Sequence, residues 1–185
     1  MTPQVMGIDL AAACSGIAMP RGTTHVIREP KARGKKRCLL DDLDRIDHVE
    51  EHVAGLLAHY AVDLAVIEDY AAGIKSAAAH RLAEIGGVVR LACHRAGVPI
   101  ALVNVMHLKI YATGNGHAEK RDMAIAAYKR WNSAEFATDD ECDAAWLRSM
   151  GMRRLGHPLE DLPQTHLAAM GKVAWPEVAE REAPC

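Results

Sequence analysis

Residues 62–70 read VDLAVIEDY. Positions 63–67 are short, mostly apolar and end in two branched aliphatics, the pattern of a strand covered on both faces. The run then stops on two acids, Glu68 and Asp69. A carboxylate at the end of an interior strand is costly unless something cationic meets it. The same break occurs at Asp9 in MGIDLAAACSGIAM, residues 6–19, and a third acidic cluster, TDDECDAAW, lies at 138–146. The fold follows from asking whether these three distant segments can meet.

Working outward, residues 4–10, 15–20 and 23–27 read as three strands. Pro20 and Gly22 supply a turn between the last two, so the trio forms an antiparallel meander. Residues 39–60 form an amphipathic helix, with Leu39, Leu43, Ile46, Val49, Val53, Leu56 and Tyr60 expected to face inward. Strand 63–67 follows, then a helix over 76–96 that ends at Gly97, then a strand over 99–103. Helices are expected at 107–112, 118–131 and 139–150, the last stopping at Gly151, with one short helix near 165–173. The expected fold is α/β: a mixed five-stranded sheet, three antiparallel strands plus two parallel, with helices on both faces. Residues 1–150 are read as the domain and 151–185 as a tail wrapping or extending from it.

The chain has 185 residues, half of them hydrophobic, with 4% aromatics and a formal charge of −2. That suits one globular domain with a real core. It excludes a surface that is basic throughout, so any nucleic-acid contact must be local. One local candidate is REPKARGKKR at 28–37, with six basic residues against one acid. It reads as a mobile loop in which Lys35, Lys36 and Arg37 could hold DNA. Five scattered cysteines without a C-x-x-C spacing argue against disulfides or a zinc knuckle. With no signal peptide or membrane-length apolar run, a cytoplasmic location is expected.

Carboxylates gathered at a sheet end repel one another, and such a cluster persists when cations neutralise it. Hard ions such as Mg²⁺ prefer these oxygen donors. Two of them about 4 Å apart can activate water and stabilise the leaving oxygen of a phosphodiester. Asp140 and Asp143 are three apart, so a helix presents both on one face. Taken singly, each cluster is more often a turn, a cap or a dipole partner; together, in this order, they point to a metal site.

Four stretches carry a resemblance: GIDLAAACSGIAM at 7–19, VIEDY at 66–70, TGNGHAEKRDM at 113–123 and DDECDAAW at 139–146. Over roughly residues 4–150 the chain resembles the RuvC-type Holliday junction resolvases of the RNase H-like superfamily, most closely their phage-borne members. The resemblance implies an RNase H-like fold and a Mg²⁺-dependent endonuclease that resolves branched DNA by paired nicks, working as a homodimer without a nucleotide cofactor. It also implies four metal-binding carboxylates at Asp9, Glu68, Asp140 and Asp143; among the consecutive acids Asp139, Asp140 and Glu141, the choice of Asp140 rests on its three-residue step to Asp143. Lys120 becomes the lysine near the scissile phosphate and Lys109 a second basic residue. Gly114 and Gly116 would let backbone amides approach a phosphate. Tyr70 is the one aromatic placed to stack at the junction centre.

Other features read as structural. His48, His52 and His59 share a solvated helical face, Cys142 packs, and Trp131, Trp146 and Trp175 pack. Three alternatives stay open: a less selective nuclease for flaps, forks or RNA–DNA hybrids, a non-catalytic junction binder, and an actin-like ATPase. The last would need a second such domain.

Overall fold

The computed structural model describes residues 2–11, 13–69, 77–131 and 135–179. Its elements are β1 (Val5–Asp9), β2 (Cys14–Ala18), β3 (Thr24–Arg28), α1 (Leu39–His59), β4 (Leu64–Asp69), α2 (Ala77–Arg95), β5 (Ile100–Asn104), α3 (Val105–Thr113), α4 (Lys120–Arg130), α5 (Asp139–Arg154) and the one-turn α6 (Gln164–Leu167), followed by a 3-10 turn over Ala168–Lys172. The sheet order is β3-β2-β1-β4-β5. β1, β2 and β3 pair antiparallel, while β1, β4 and β5 pair parallel. This is the mixed sheet expected from the sequence.

Both crossover helices, α1 and α2, lie on one face, as successive connections of constant hand running the same way across a sheet require. They bury Val49, Val53, Leu57, Ile85 and Val89 against Met6, Ile8, Ile17, Ala65 and Ile67. The other face belongs to α3, α4, α5 and the segment after α5. There Leu108, Tyr111, Trp146, Leu147 and Met150 pack against Val5, Leu64, Val66, Ala101 and Val103. The two-residue strand period sorts the side chains between these cores.

The approach of α5 is set by glycines inside the strands. A Cβ on Gly7 would lie 2.0 Å from the Ala144 carbonyl oxygen, and one on Gly16 would lie 2.1 Å from that of Asp140. Neither neighbour can give way, because both are helix backbone. Gly151 does the same from the helix side, against Val5 and Val66. It therefore lies within α5 and does not end it: the helix runs on to Arg154, past the expected stop. Among the described residues after α5, 155–179, the chain returns as a strap across α3 and α5.

The expected inward face of α1 is corrected at its first half. Leu39 is 72% and Leu43 50% exposed, while Asp41 and Arg45 are buried with Val49, Val53 and Leu57. The cause is Arg45, whose guanidinium is fully buried and donates to Glu84 at 2.7 Å and to the Arg81 carbonyl at 3.2 Å. Glu29 and Asp42 lie 3.4 and 3.9 Å from it. Arg37 pairs with the same two acids, at 2.9 and 3.3 Å, and Arg33 pairs with Asp41 and Asp44. A charge cluster thus turns the start of the helix and ties down the basic loop.

Prediction: Gly16→Ala lowers stability in urea unfolding by about 1–3 kcal/mol, the usual cost of overpacking. Gly87→Ala, where an added Cβ meets nothing within 4 Å on an exposed turn of α2, should be neutral or stabilising. Equal effects would contradict the backbone contact between α5 and the sheet.

Candidate active site

Gly7 pairs with Val66 and Ile8 with Ile67 in the parallel register. One step further sets Asp9 alongside Glu68. By alternation, both side chains leave the sheet on the face that α5 covers. The glycine contacts press the first turns of α5 against this spot. Oxygens of Asp9, Glu68 and Asp143 consequently lie within 4.8 Å of one another.

Burial and mutual repulsion both act against ionisation here. Asp9 is buried, and desolvation pushes its carboxyl well above the usual range, helped by the charges of Glu68, Asp143 and Asp140. Burial, then Asp143, raises Glu68 to about 7. Burial raises Asp143 to about 6 against the pull of Lys120. The site is short of positive charge, and its all-oxygen donor set suits a hard divalent cation.

The acids of α5 separate into distinct roles. Asp140 stays outside the three-carboxylate group; its charge reaches all three members, and its carboxylate meets the Cys14 thiol. Glu141 turns back to accept from the Thr138 amide at 3.0 Å, while the Thr138 hydroxyl accepts from the Glu141 amide at 3.2 Å. It closes a capping box. Asp139 lies 3.3 Å from the Lys120 ammonium. Burial works against the charge on Lys120, but Asp139 holds its pKa above the ordinary value.

Lys120 opens α4, and Lys109 sits on α3 close enough to act on Glu68 and Asp143. The two lysines form a basic limb beside the carboxylates. A cleft of about 480 Å³ adjoins it, lined by Cys14, Arg28, Lys120, Phe136, Thr138, Asp139 and Asp140.

Gly114 caps α3 in the left-handed region at φ +82°, and a Cβ there would meet the His166 ring at 2.7 Å. A Cβ on Gly116 would meet Met106 at 2.7 Å. Both glycines therefore answer to packing. Lys35 and Lys36 are exposed on the loop, whereas Arg37 is bound into the Arg45 cluster. Tyr70 lies outside the described residues. Cys142, Trp146 and, in part, Trp131 and Trp175 are packed, and His52 and His59 are exposed.

Not singled out from sequence are Gly7, Gly16 and the pairing of Asp139 with Lys120. A glycine within a strand marks a close backbone approach, so the first two carried a readable signal. Asp139 carried none beyond its place in an acidic run.

The sequence matches the crossover junction endodeoxyribonuclease RuvC family over residues 5–145. Two proteins of that name are among its relatives. The one from Nitratidesulfovibrio vulgaris (strain DP4) is 28% identical over 119 residues, covering 64% of this chain and 72% of the relative. The one from Acidiphilium cryptum (strain JF-5) is 31% identical over 101 residues, 55% of this chain and 60% of the relative. In fold, the chain is similar to Thermus thermophilus RuvC, with TM-score 0.64 and 19% identity over 83% of this chain and 97% of that one. It is also similar to T. thermophilus RuvC in complex with a Holliday junction substrate, with TM-score 0.65 and 16% identity over 84% and 97%. Among the described residues, no helix is long and apolar enough to cross a membrane. With the fold, the carboxylate centre and a match that spans most of the chain, this protein belongs to the RuvC family of crossover junction endodeoxyribonucleases.

Proposed function

We propose that this protein resolves four-way DNA junctions by paired nicks, using Mg²⁺ held by Asp9, Glu68 and Asp143, with Asp140 completing the set for a second ion. The observation that carries the reading is the convergence of three carboxylates from β1, β4 and α5 to within 4.8 Å. When bound, such ions neutralise the carboxylates and supply activation of water and of the leaving oxygen.

The chain's own residues do the rest. Lys120, steadied by Asp139 at 3.3 Å, stands at the rim to meet charge that grows on the scissile phosphate. Lys109 adds a second positive charge on the same side. The turn between them, with Gly114 and Gly116, faces the phosphate chain: the Gly114 amide is spent on the Ile110 carbonyl at 2.8 Å, so Gly114 shapes the turn and Gly116 is the glycine whose amide approaches a phosphate. Arg28, Lys35 and Lys36 lie on the β3 side, where an arm of a branched substrate can be held by charge alone. Tyr70 keeps its proposed role of stacking at the junction centre.

Two nicks in two strands call for two copies of the site, and a twofold dimer supplies them. The face we assign to the homodimer is the outer groove between α1 and α2, lined by Leu43, Ile46, Val88 and Leu91. Leu39 and Leu40 continue it as exposed apolar side chains. Asp44, Asp47 and Glu50 on one helix and Arg95 on the other edge the groove; Arg95 lies 3.9 Å from Glu50 and Asp44 is paired with Arg33, so the apolar side chains carry the assignment.

Asp9→Asn and Glu68→Gln should reduce nicking of a four-way junction by at least a thousandfold while junction binding persists in gel shifts. Wild-type rates in both would refute the assignment. Asp140→Asn should cost less than either, about tenfold to a hundredfold in turnover.

Proton and metal compete for the same oxygens. Glu68 binds its proton near pH 7 when folded against 4.5 ordinarily. Its stabilising protonation is complete below about pH 4.5 and is lost as pH rises through 7. In metal-free buffer, the thermal midpoint of wild type should fall relative to Glu68→Gln across that window. Added Mg²⁺ should close the gap at pH 7 and above. Parallel midpoints at every pH would contradict the shift.

Leu43→Glu should convert a dimer to a monomer in sedimentation equilibrium and abolish coordinated double nicking. A dimer that survives this change would place the interface elsewhere.

A further inference from the structure

The family match ends at residue 145, and the strap after α5 lies beyond it. We propose that the strap belongs to the reaction centre, with His166 as a positioning residue for the basic limb. This rests on the reading that Lys109 and Lys120 serve the scissile phosphate.

The last carbonyls of a helix lack partners within it. In α3 the Ile110 carbonyl is taken by the Gly114 amide. The Tyr111 carbonyl is met from outside: His166 Nδ1 lies 2.9 Å away, so its N–H donates there. The imidazole is buried, with Nε2 turned to the left-handed Gly114, where an added Cβ would lie 2.7 Å from it, so the missing Cβ makes the room. The ring caps α3 and seals the turn that leaves it.

That turn is braced throughout. The Thr113 hydroxyl donates to the Lys109 carbonyl at 2.8 Å and accepts from the Asn115 amide at 3.1 Å. The Asn115 side chain accepts from the His117 amide at 3.0 Å, and its carbonyl from the Ala118 amide at 3.1 Å. α4 then starts at Lys120. Lys109 and Lys120 are thus the two ends of one stiff segment, and His166 braces it midway.

The strap has a second hold on the same helix. Glu160, with a side chain 2% exposed, accepts from the Tyr111 hydroxyl at 2.7 Å, Ser149 at 2.6 Å and Trp131 at 2.9 Å. Arg153 supplies its countercharge at 3.5 Å. Tyr111 is therefore fixed at its hydroxyl by Glu160 and at its carbonyl by His166. An α3 held at both points cannot roll, and Lys109, two residues before Tyr111, keeps its aim at the carboxylates. The requirement for glycine at 114 is in this view shared between the turn and the ring that fills it.

The experiment measures single-junction turnover in Mg²⁺ for wild type, His166→Ala, His166→Leu and His166→Asn, below the unfolding onset of each. His166→Ala and His166→Leu should lower kcat at least tenfold with KM within twofold of wild type. His166→Leu fills the space and serves as the reading should the alanine variant not fold. His166→Asn, whose amide reaches as far as Nδ1, should recover most of the rate. In a Lys109→Ala, Lys120→Ala background the His166→Leu loss should shrink below twofold, because nothing remains to be aimed. Wild-type turnover in His166→Leu, a loss that asparagine does not relieve, or an undiminished loss in the lysine-free background would overturn the proposal. Should Lys109→Ala and Lys120→Ala themselves nick at the wild-type rate, the failure lies in the reading of the basic limb.

Discussion

The molecule is built around carboxylates crowded into a partly desolvated space, one of them buried and two half-buried. Asp9, Glu68 and Asp143 are drawn from three segments into a space where burial first, and neighbouring acids after it, work against their ionisation. Nothing in the hydrophobic cores asks for that arrangement. It is sustained by the stiffness of what carries the acids: two neighbouring strands in fixed parallel register and a helix seated on glycine backbone. The fold holds the charges together, and the unmet charge is what a dication would bind.

The two sides of the sheet divide the work accordingly. The α1–α2 side is core and outer surface, with a charge cluster around Arg45 that orients α1 and anchors the 28–37 loop. The α3–α5 side carries the carboxylate centre, with acids from the sheet and α5 beside lysines from α3 and α4. The strap closes over this second side, and two of its polar side chains, Glu160 and His166, meet on Tyr111.

Much of this was legible in the chain. Strand alternation puts Asp9 with Val5 and Glu68 with Leu64 and Val66, but that these are one and the same face depends on the parallel register of the two strands, which both-sided burial hides from the sequence. The three-residue step from Asp140 to Asp143 gave the helix face, but not which acid lies closest, because i and i+3 differ by most of a turn in depth. Glycine proved ambiguous: Gly151 has the sequence signature of a helix stop, yet it lies inside α5 because the sheet leaves no room for a side chain. The leucines of early α1 followed the helical period outward, because a buried arginine, unreadable from periodicity, claimed the inner face. Glu160 and His166 carried no signal, since their partners lie 49 and 55 residues away.

The most direct measurement is the crystal structure of the protein in manganese, with the ion located by its anomalous scattering. The account predicts a strong peak about 2.0–2.2 Å, near the Mg²⁺–oxygen distance, from oxygens of Asp9, Glu68 and Asp143 together. Saturating manganese with no ion shared by these three side chains would contradict it.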